Sequence, residues 1–176
     1  RGPRGTGFLY VRRKLCLALE PPMIDHFGAN WVDKDHYRLR DDARRFETWE
    51  NNYAARLGLG VATDYALALG LEAIRKRALL LADRLRNGLK ALPRLRVFDL
   101  GPHPAAIVTF AMAGVSAEEV RDRAAASGIN LSLSRPGSTL LDALARDLPV
   151  LVRASPHYYN SEDEIDALLA LLRGMG

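Results

Sequence analysis

An arginine inside an otherwise apolar run, the VLVRAS of residues 150–155, is where this chain most sharply implies chemistry. An unpaired guanidinium within a strand is costly, so Arg153 must emerge at the strand end or meet an anion. Its parallel N–H donors match a carboxylate in a geometry that lysine cannot copy. That anion is either a ligand's carboxylate or one of the chain's 21 acidic side chains. His157, Tyr158, Tyr159 and Asn160 follow as a polar loop. There His157 either reaches a substrate or only leads into the next helix.

A second cluster, RRFETWENN, ends at the start of a long helical pattern. Glu47, Thr48 and Glu50 suit a helix start, where acids meet the positive end of the dipole and threonine can cap. The same end, with its free amides, can receive a phosphate. A third, RGPRGTGF, sets glycines and a proline before a strand-like run. It is either a tight connection or a loop passing beneath a ligand. It is no phosphate-binding P-loop, since GKS and GKT are absent. The histidines at 26, 36, 103 and 157 lack metal-ligand spacing, and no metal site is expected.

The elements that must carry these residues read as follows. Phe8 to Arg12 (FLYVR) is aromatic and β-branched, and predicts a strand. Residues 18–45 lack periodicity and predict a long irregular loop. From Asn51 to Leu92 the pattern is helical, with Leu57, Val61, Tyr65 and Leu69 spaced by four, a bend at Gly70, and a stop at Pro93. Two strands, Leu95 to Leu100 and Ala106 to Met112, flank the stiff turn GPHP. Ser116 with Glu119 opens the next helix, which closes at Gly128 before a strand from Ile129 to Leu133. A short helix capped by Ser138 or Thr139 comes next, then the strand Val150 to Ser155. The last helix, capped by Ser161 with Glu164, turns Ile165, Leu168, Leu169 and Leu172 to one face. The order ββαβ(α)βα after Pro93 predicts a small antiparallel or mixed sheet with helices on one face.

The chain has 176 residues, 48% hydrophobic and 26% charged, ordinary globular composition that disfavours disorder, collagen-like repeats and a membrane span. Its single cysteine, Cys16, can close no internal disulfide, which points to a reducing compartment. Lysine and arginine number 25, and Arg1, Arg4, Arg12, Arg13 and Lys14 place five of them at one end without an acid. A nucleic-acid surface would spread such charge along a face and interleave aromatics, so no nucleic-acid partner is expected. RGPRGTG is not targeting composition, and a start at Arg1 rather than Met suggests a chain that begins within a longer protein.

Taken in order, RGPRGTGFLYV, RRFETWENN with GLGVATDYALALGL, SLSRPGST and VRASPHYYNSEDEID closely resemble the class V aminotransferase family. These are fold type I pyridoxal-phosphate enzymes, a group that includes cysteine desulfurases, selenocysteine lyases and isopenicillin N epimerase-like members. The resemblance spans essentially the whole chain. It implies an α/β architecture: residues 1–50 as the end of the large cofactor-binding domain and its active-site and dimer loop, 51–92 as a bent interdomain helix, and 93–176 as a C-terminal small α+β domain.

Family roles then map onto single residues. Arg153 matches the arginine that grips the substrate α-carboxylate, while His157 stays a substrate-binding candidate from the residue pattern alone. The family's Schiff-base lysine lies a few residues before the GPxGxG loop, so the resemblance implies a lysine upstream of Arg1 and none of that role in this chain. The FE motif of many members is followed by a Gly-Thr pair whose threonine reaches the neighbouring subunit's cofactor phosphate. Trp49 and Glu50 occupy that place here, so either Thr48, the Trp49 nitrogen or Asn52 substitutes or the contact is lost. RPGSTL of residues 135–140 matches the RxGHHC segment that carries the persulfide cysteine of some desulfurases, with Leu140 at the cysteine position. The implied protein is a cytoplasmic homodimer using pyridoxal 5'-phosphate on an amino-acid or 2-oxo-acid substrate. It is most simply an aminotransferase, alternatively a cysteine or selenocysteine lyase or an epimerase. A non-enzymatic α+β interaction module with a basic N-terminus is the reading from another class.

Overall fold

The computed structural model describes residues 2–175, so the charge at Arg1 lies outside the described residues. The chain divides into two compact units, residues 1–68 and 69–176. In the first, a short helix α1 (Arg13–Ala18) precedes a hairpin of β1 (Ala29–Trp31) and β2 (Tyr37–Leu39), paired antiparallel with Asn30 opposite Arg38. A single 3-10 turn, Ala43–Phe46, leads to the helix α2 (Tyr53–Leu69). Two expectations are corrected here. Phe8 to Arg12 forms no strand, and Phe8, Leu9 and Tyr10 stay exposed. Its composition favours a strand, but a ladder needs a partner, and no described strand lies alongside it. The loop expected over 18–45 instead holds the hairpin, whose turn residues carry neither glycine nor proline as a signal.

The expected bent helix is two helices, α2 and α3 (Leu71–Lys90), interrupted at Gly70. There φ is +86°, a backbone state that glycine adopts without steric cost. The apolar stripe of α3 sinks into the core through Leu81, Leu85 and Leu89. That of α2 does not: Leu57, Val61 and Tyr65 are exposed, and α2 has no buried residue. Among the described residues no single helix is long and apolar enough to cross a membrane.

The second unit is the small α+β domain read from the sequence. Strands β3 (Leu95–Val97), β4 (Val108–Met112), β5 (Ser132–Ser134) and β6 (Leu151–Ala154) form one antiparallel sheet in the order β3-β4-β6-β5. Helices α3, α4 (Ala117–Ala126) and α6 (Glu162–Gly174) contribute to one core with it. On that side lie Val108, Phe110 and Met112 of β4 with Val152 and Ala154 of β6, all buried. Ile165, Leu168, Leu169 and Leu172 of α6 meet them, and burying each such side chain contributes roughly 1.5–3 kcal/mol before entropy is counted. The alternation of β4 puts Thr109 and Ala111 on the opposite face, where both are half-buried.

Local signals set the ends of these helices. Ser161 and Glu164 form the full reciprocal cap of α6. At α4 only half of it forms: Ser116 accepts the Glu119 amide, while the Glu119 carboxylate turns to Arg123 at 2.6 Å. The short helix α5 (Leu140–Arg146) begins after Thr139, whose side chain makes no capping bond.

Candidate functional site

Arg153 is the third residue of β6, and the strand's alternation turns it, exposed, to the face away from Val152 and Ala154, the face that also carries the buried Leu151. Register sets Thr109 of β4 on one side of it and Ser132 of β5 on the other. Its Nε donates to Ser132 Oγ at 3.1 Å, and among the described residues it forms no ion pair. The carboxylate beside its cross-strand neighbour, that of Asp99, is otherwise engaged. Asp99 accepts from Thr109 N at 2.8 Å, from Thr109 Oγ1 at 2.9 Å and from Arg86 Nε at 2.7 Å. Arg86 is itself buried and also donates to the carbonyls of Ala105 and Ile107. Of the two anions left open by the sequence, the internal one is therefore not used.

His157 is half-buried, its ring 4.4 Å from that of Tyr158 and 4.6 Å from that of Tyr159. Its main-chain N–H donates to Asn160 Oδ1 at 2.8 Å, while Asn160 Nδ2 reaches Glu164. The loop after Arg153 is thus tied to the cap of α6. The Glu164 carboxyl is held below its ordinary range, first by the Ser161 N–H and then by Asn160.

The first unit brings together two segments that are distant in sequence. Gly5 to Leu9 and Thr48, Asn51 and Asn52 line one cavity of about 900 Å³, with Arg56, Glu47 and Asp64 as its charged members. The glycine-rich turn closes on itself as Thr6 Oγ1 donates to the Pro3 carbonyl at 2.6 Å. It packs on α2 where Gly58 leaves room, since a Cβ there would lie 2.9 Å from Pro3 Cγ. Asn52, rather than Thr48, caps α2, accepting the Ala55 amide at 3.0 Å. That use of Oδ1 leaves its Nδ2 to donate.

Trp49 is placed differently from Thr48 and Asn52. Its main-chain N–H is committed to Asp25 Oδ2 at 2.8 Å, and its ring packs on His26 at 4.9 Å and Phe27 at 5.9 Å. Asp25 also accepts from Phe27 N and Gly28 N. Its carboxyl is held below the ordinary range, the Trp49 N–H being the largest cause. Asp25 and Ser132 were not legible as organisers. The signal available for Asp25 was an Asx turn closing on Gly28, and for Ser132 a polar residue alternating in a short strand.

The pyridoxal-phosphate phosphate needs hydrogen-bond donors, and the Thr48 hydroxyl and Asn52 amide at the cavity supply them; these residues fit that group. Glu50 does not line the cavity; of the two carboxylates that do, Glu47 is paired with Arg56 at 3.9 Å, and Asp64 stands on α2. Lys14, Lys34, Lys76 and Lys90 are all exposed, and none lines it.

The chain is 32% identical to a probable cysteine desulfurase from Synechocystis sp., over 97% of this chain and 41% of the relative. It is 31% identical to a cysteine desulfurase from Synechococcus elongatus, over 98% of this chain and 27% of that protein. The apo structure of a cysteine desulfurase from Thermococcus onnurineus NA1 superposes with a TM-score of 0.84 at 28% identity, covering 99% of this chain and 44% of that one. The chain thus spans less than half the length of these relatives. The family model for class V aminotransferases matches residues 1–168. With the motifs in order on a small α+β domain of the corresponding fold, the chain belongs to the class V aminotransferase family of pyridoxal-phosphate enzymes.

Proposed function

We propose that this chain is the C-terminal portion of a pyridoxal-phosphate enzyme that breaks the C–S bond of cysteine, rather than a general aminotransferase. One observation carries the reading for this chain: Arg153 is itself exposed, on the sheet face away from the core, and forms no ion pair among the described residues. The similarity to cysteine desulfurases supports cysteine as the amino acid. When bound, the cofactor withdraws electrons from the α-carbon of the amino acid. This chain's residues do the holding. Arg153 grips the α-carboxylate through two charge-assisted hydrogen bonds, with His157 in the adjoining loop. Thr48 and Asn52 donate to the phosphate, while Trp49 braces their loop through Asp25. The exposed apolar side chains Leu57, Val61 and Tyr65 of α2 support assembly with a second copy.

Leu140 stands where some desulfurases carry a thiol, and Cys16 is buried in the first unit. The reading is therefore a lyase that needs no persulfide at that position. Cysteine and water would yield pyruvate, ammonia and sulfide in equal amounts. Incubating the full-length enzyme with L-cysteine and measuring all three tests this. Amino transfer to a 2-oxo acid without sulfide release would restore the aminotransferase reading.

A further inference from the structure

Arginine offers five N–H donors, one on Nε and two on each Nη, and a carboxylate can dock either end-on across both Nη atoms or side-on across Nε and one Nη. The position of Ser132 distinguishes these modes. Ser132 and Arg153 are direct cross-strand partners. Ser132 Oγ accepts from Arg153 Nε at 3.1 Å and donates to the Arg153 carbonyl oxygen at 3.4 Å. One hydroxyl thus touches both the backbone and the head group of the same arginine. On the other flank, the Thr109 hydroxyl donates to Asp99 and makes no hydrogen bond to the guanidinium. Among the described residues, no other side chain has a hydrogen bond to the Arg153 guanidinium.

We propose that Ser132 is the positioning residue for Arg153: by occupying Nε, it sets the guanidinium plane and directs the substrate carboxylate to dock end-on across Nη1 and Nη2. The proposal rests on the reading of Arg153 as the carboxylate grip. A hydroxyl that removes one rotational freedom from a long side chain should strengthen carboxylate binding without contacting the carboxylate.

The test uses the full-length holoenzyme and two probes. 3-Mercaptopropionate has the thiol and carboxylate of cysteine but no amine, and its methyl ester lacks the charge. Binding is read by calorimetry and by inhibition of cysteine turnover, with the melting temperature recorded for each variant. Ser132→Ala is expected to weaken the acid roughly fivefold, the worth of about one neutral hydrogen bond, and to leave the ester unchanged. Ser132→Thr should restore the acid's affinity, and the isosteric Ser132→Val should not. If alanine compromises folding, the threonine and valine pair carries the same contrast. Wild-type affinity for the acid in Ser132→Val, or equal weakening of acid and ester, overturns the proposal. Arg153→Ala, run alongside, separates the two ideas. If it leaves the acid's affinity intact, the carboxylate grip itself is wrong; if it abolishes binding while Ser132→Val does not, only the positioning role fails.

Discussion

The freedom of Arg153 comes from what its neighbours already hold. Asp99 is engaged by Arg86 and Thr109, and the Arg153 guanidinium forms no ion pair among the described residues. Replacing Arg153 by alanine in the full-length enzyme should lower kcat/KM by roughly 30- to 1000-fold, equivalent to about 2–4 kcal/mol, with the cofactor absorbance nearly unchanged. Lysine should recover part of this, since a point charge cannot reproduce the fork. Wild-type kcat/KM in a folded Arg153→Ala protein would remove the substrate contact. Cys16, only 3% exposed on α1, serves as a small buried hydrophobe. Cys16→Ala should therefore keep turnover per folded molecule, and loss of all activity with folding intact would relocate the site. Arg153 was legible because a charge in an apolar run demands a partner. Ser132 was not, because its meaning depends on a cross-strand register that no local pattern encodes. Asp25 was hidden likewise, its decisive donor lying on Trp49, distant in sequence.

Helices with strong caps and stripes were legible, and so, at shifted bounds, were the strands of the second unit, while the hairpin of the first was not. The four core positions of α6 and its Ser161 cap stand where periodicity put them. The hairpin β1–β2 escaped because no glycine or proline marks its turn. Where α3 meets α6 the fit is tight: a Cβ on Gly88 would lie 2.3 Å from Leu169 Cδ1 and 2.7 Å from Cδ2. Gly88→Ala gains about 1 kcal/mol in helix propensity, but overpacking a buried leucine costs about 1–3 kcal/mol. The expected net effect is a lower melting temperature, and an unchanged or higher one would show that Leu169 can swing aside. Acid should act on the loops before the core. Asp25 and Glu164 both titrate below their ordinary carboxylate values, so each stabilises the folded state above that range. That contribution is lost as pH falls through their folded-state values. Hydrogen exchange at Trp49 and Ser161 amides should rise below about pH 4, where carboxylates begin to protonate, ahead of amides in β4.

At the scale of the whole molecule, the apolar core is unevenly shared. Among the described residues, the buried apolar side chains before residue 69 are Cys16, Pro21 and Ala29, whereas the second unit holds the continuous cluster around Phe110, Leu85 and Leu168. Residues 69–176 expressed alone should melt cooperatively, and a non-cooperative transition by calorimetry would show that their core needs the first unit. The whole chain incubated with pyridoxal phosphate and borohydride should give no stoichiometric adduct at Lys14, Lys34, Lys76 or Lys90, each exposed and none at the cavity. Peptide mapping would reveal one. Gly70, finally, sits one residue past the start of the second unit, at a φ of +86° that ends one helix and lets the next begin. A break in the hydrogen-bond ladder at a unit boundary makes a natural crossover point. Chimeras joined at this glycine would let the sheet around Arg153 of one homologue be recombined with the glycine-rich loop of another, leaving the continuous core of the second unit whole.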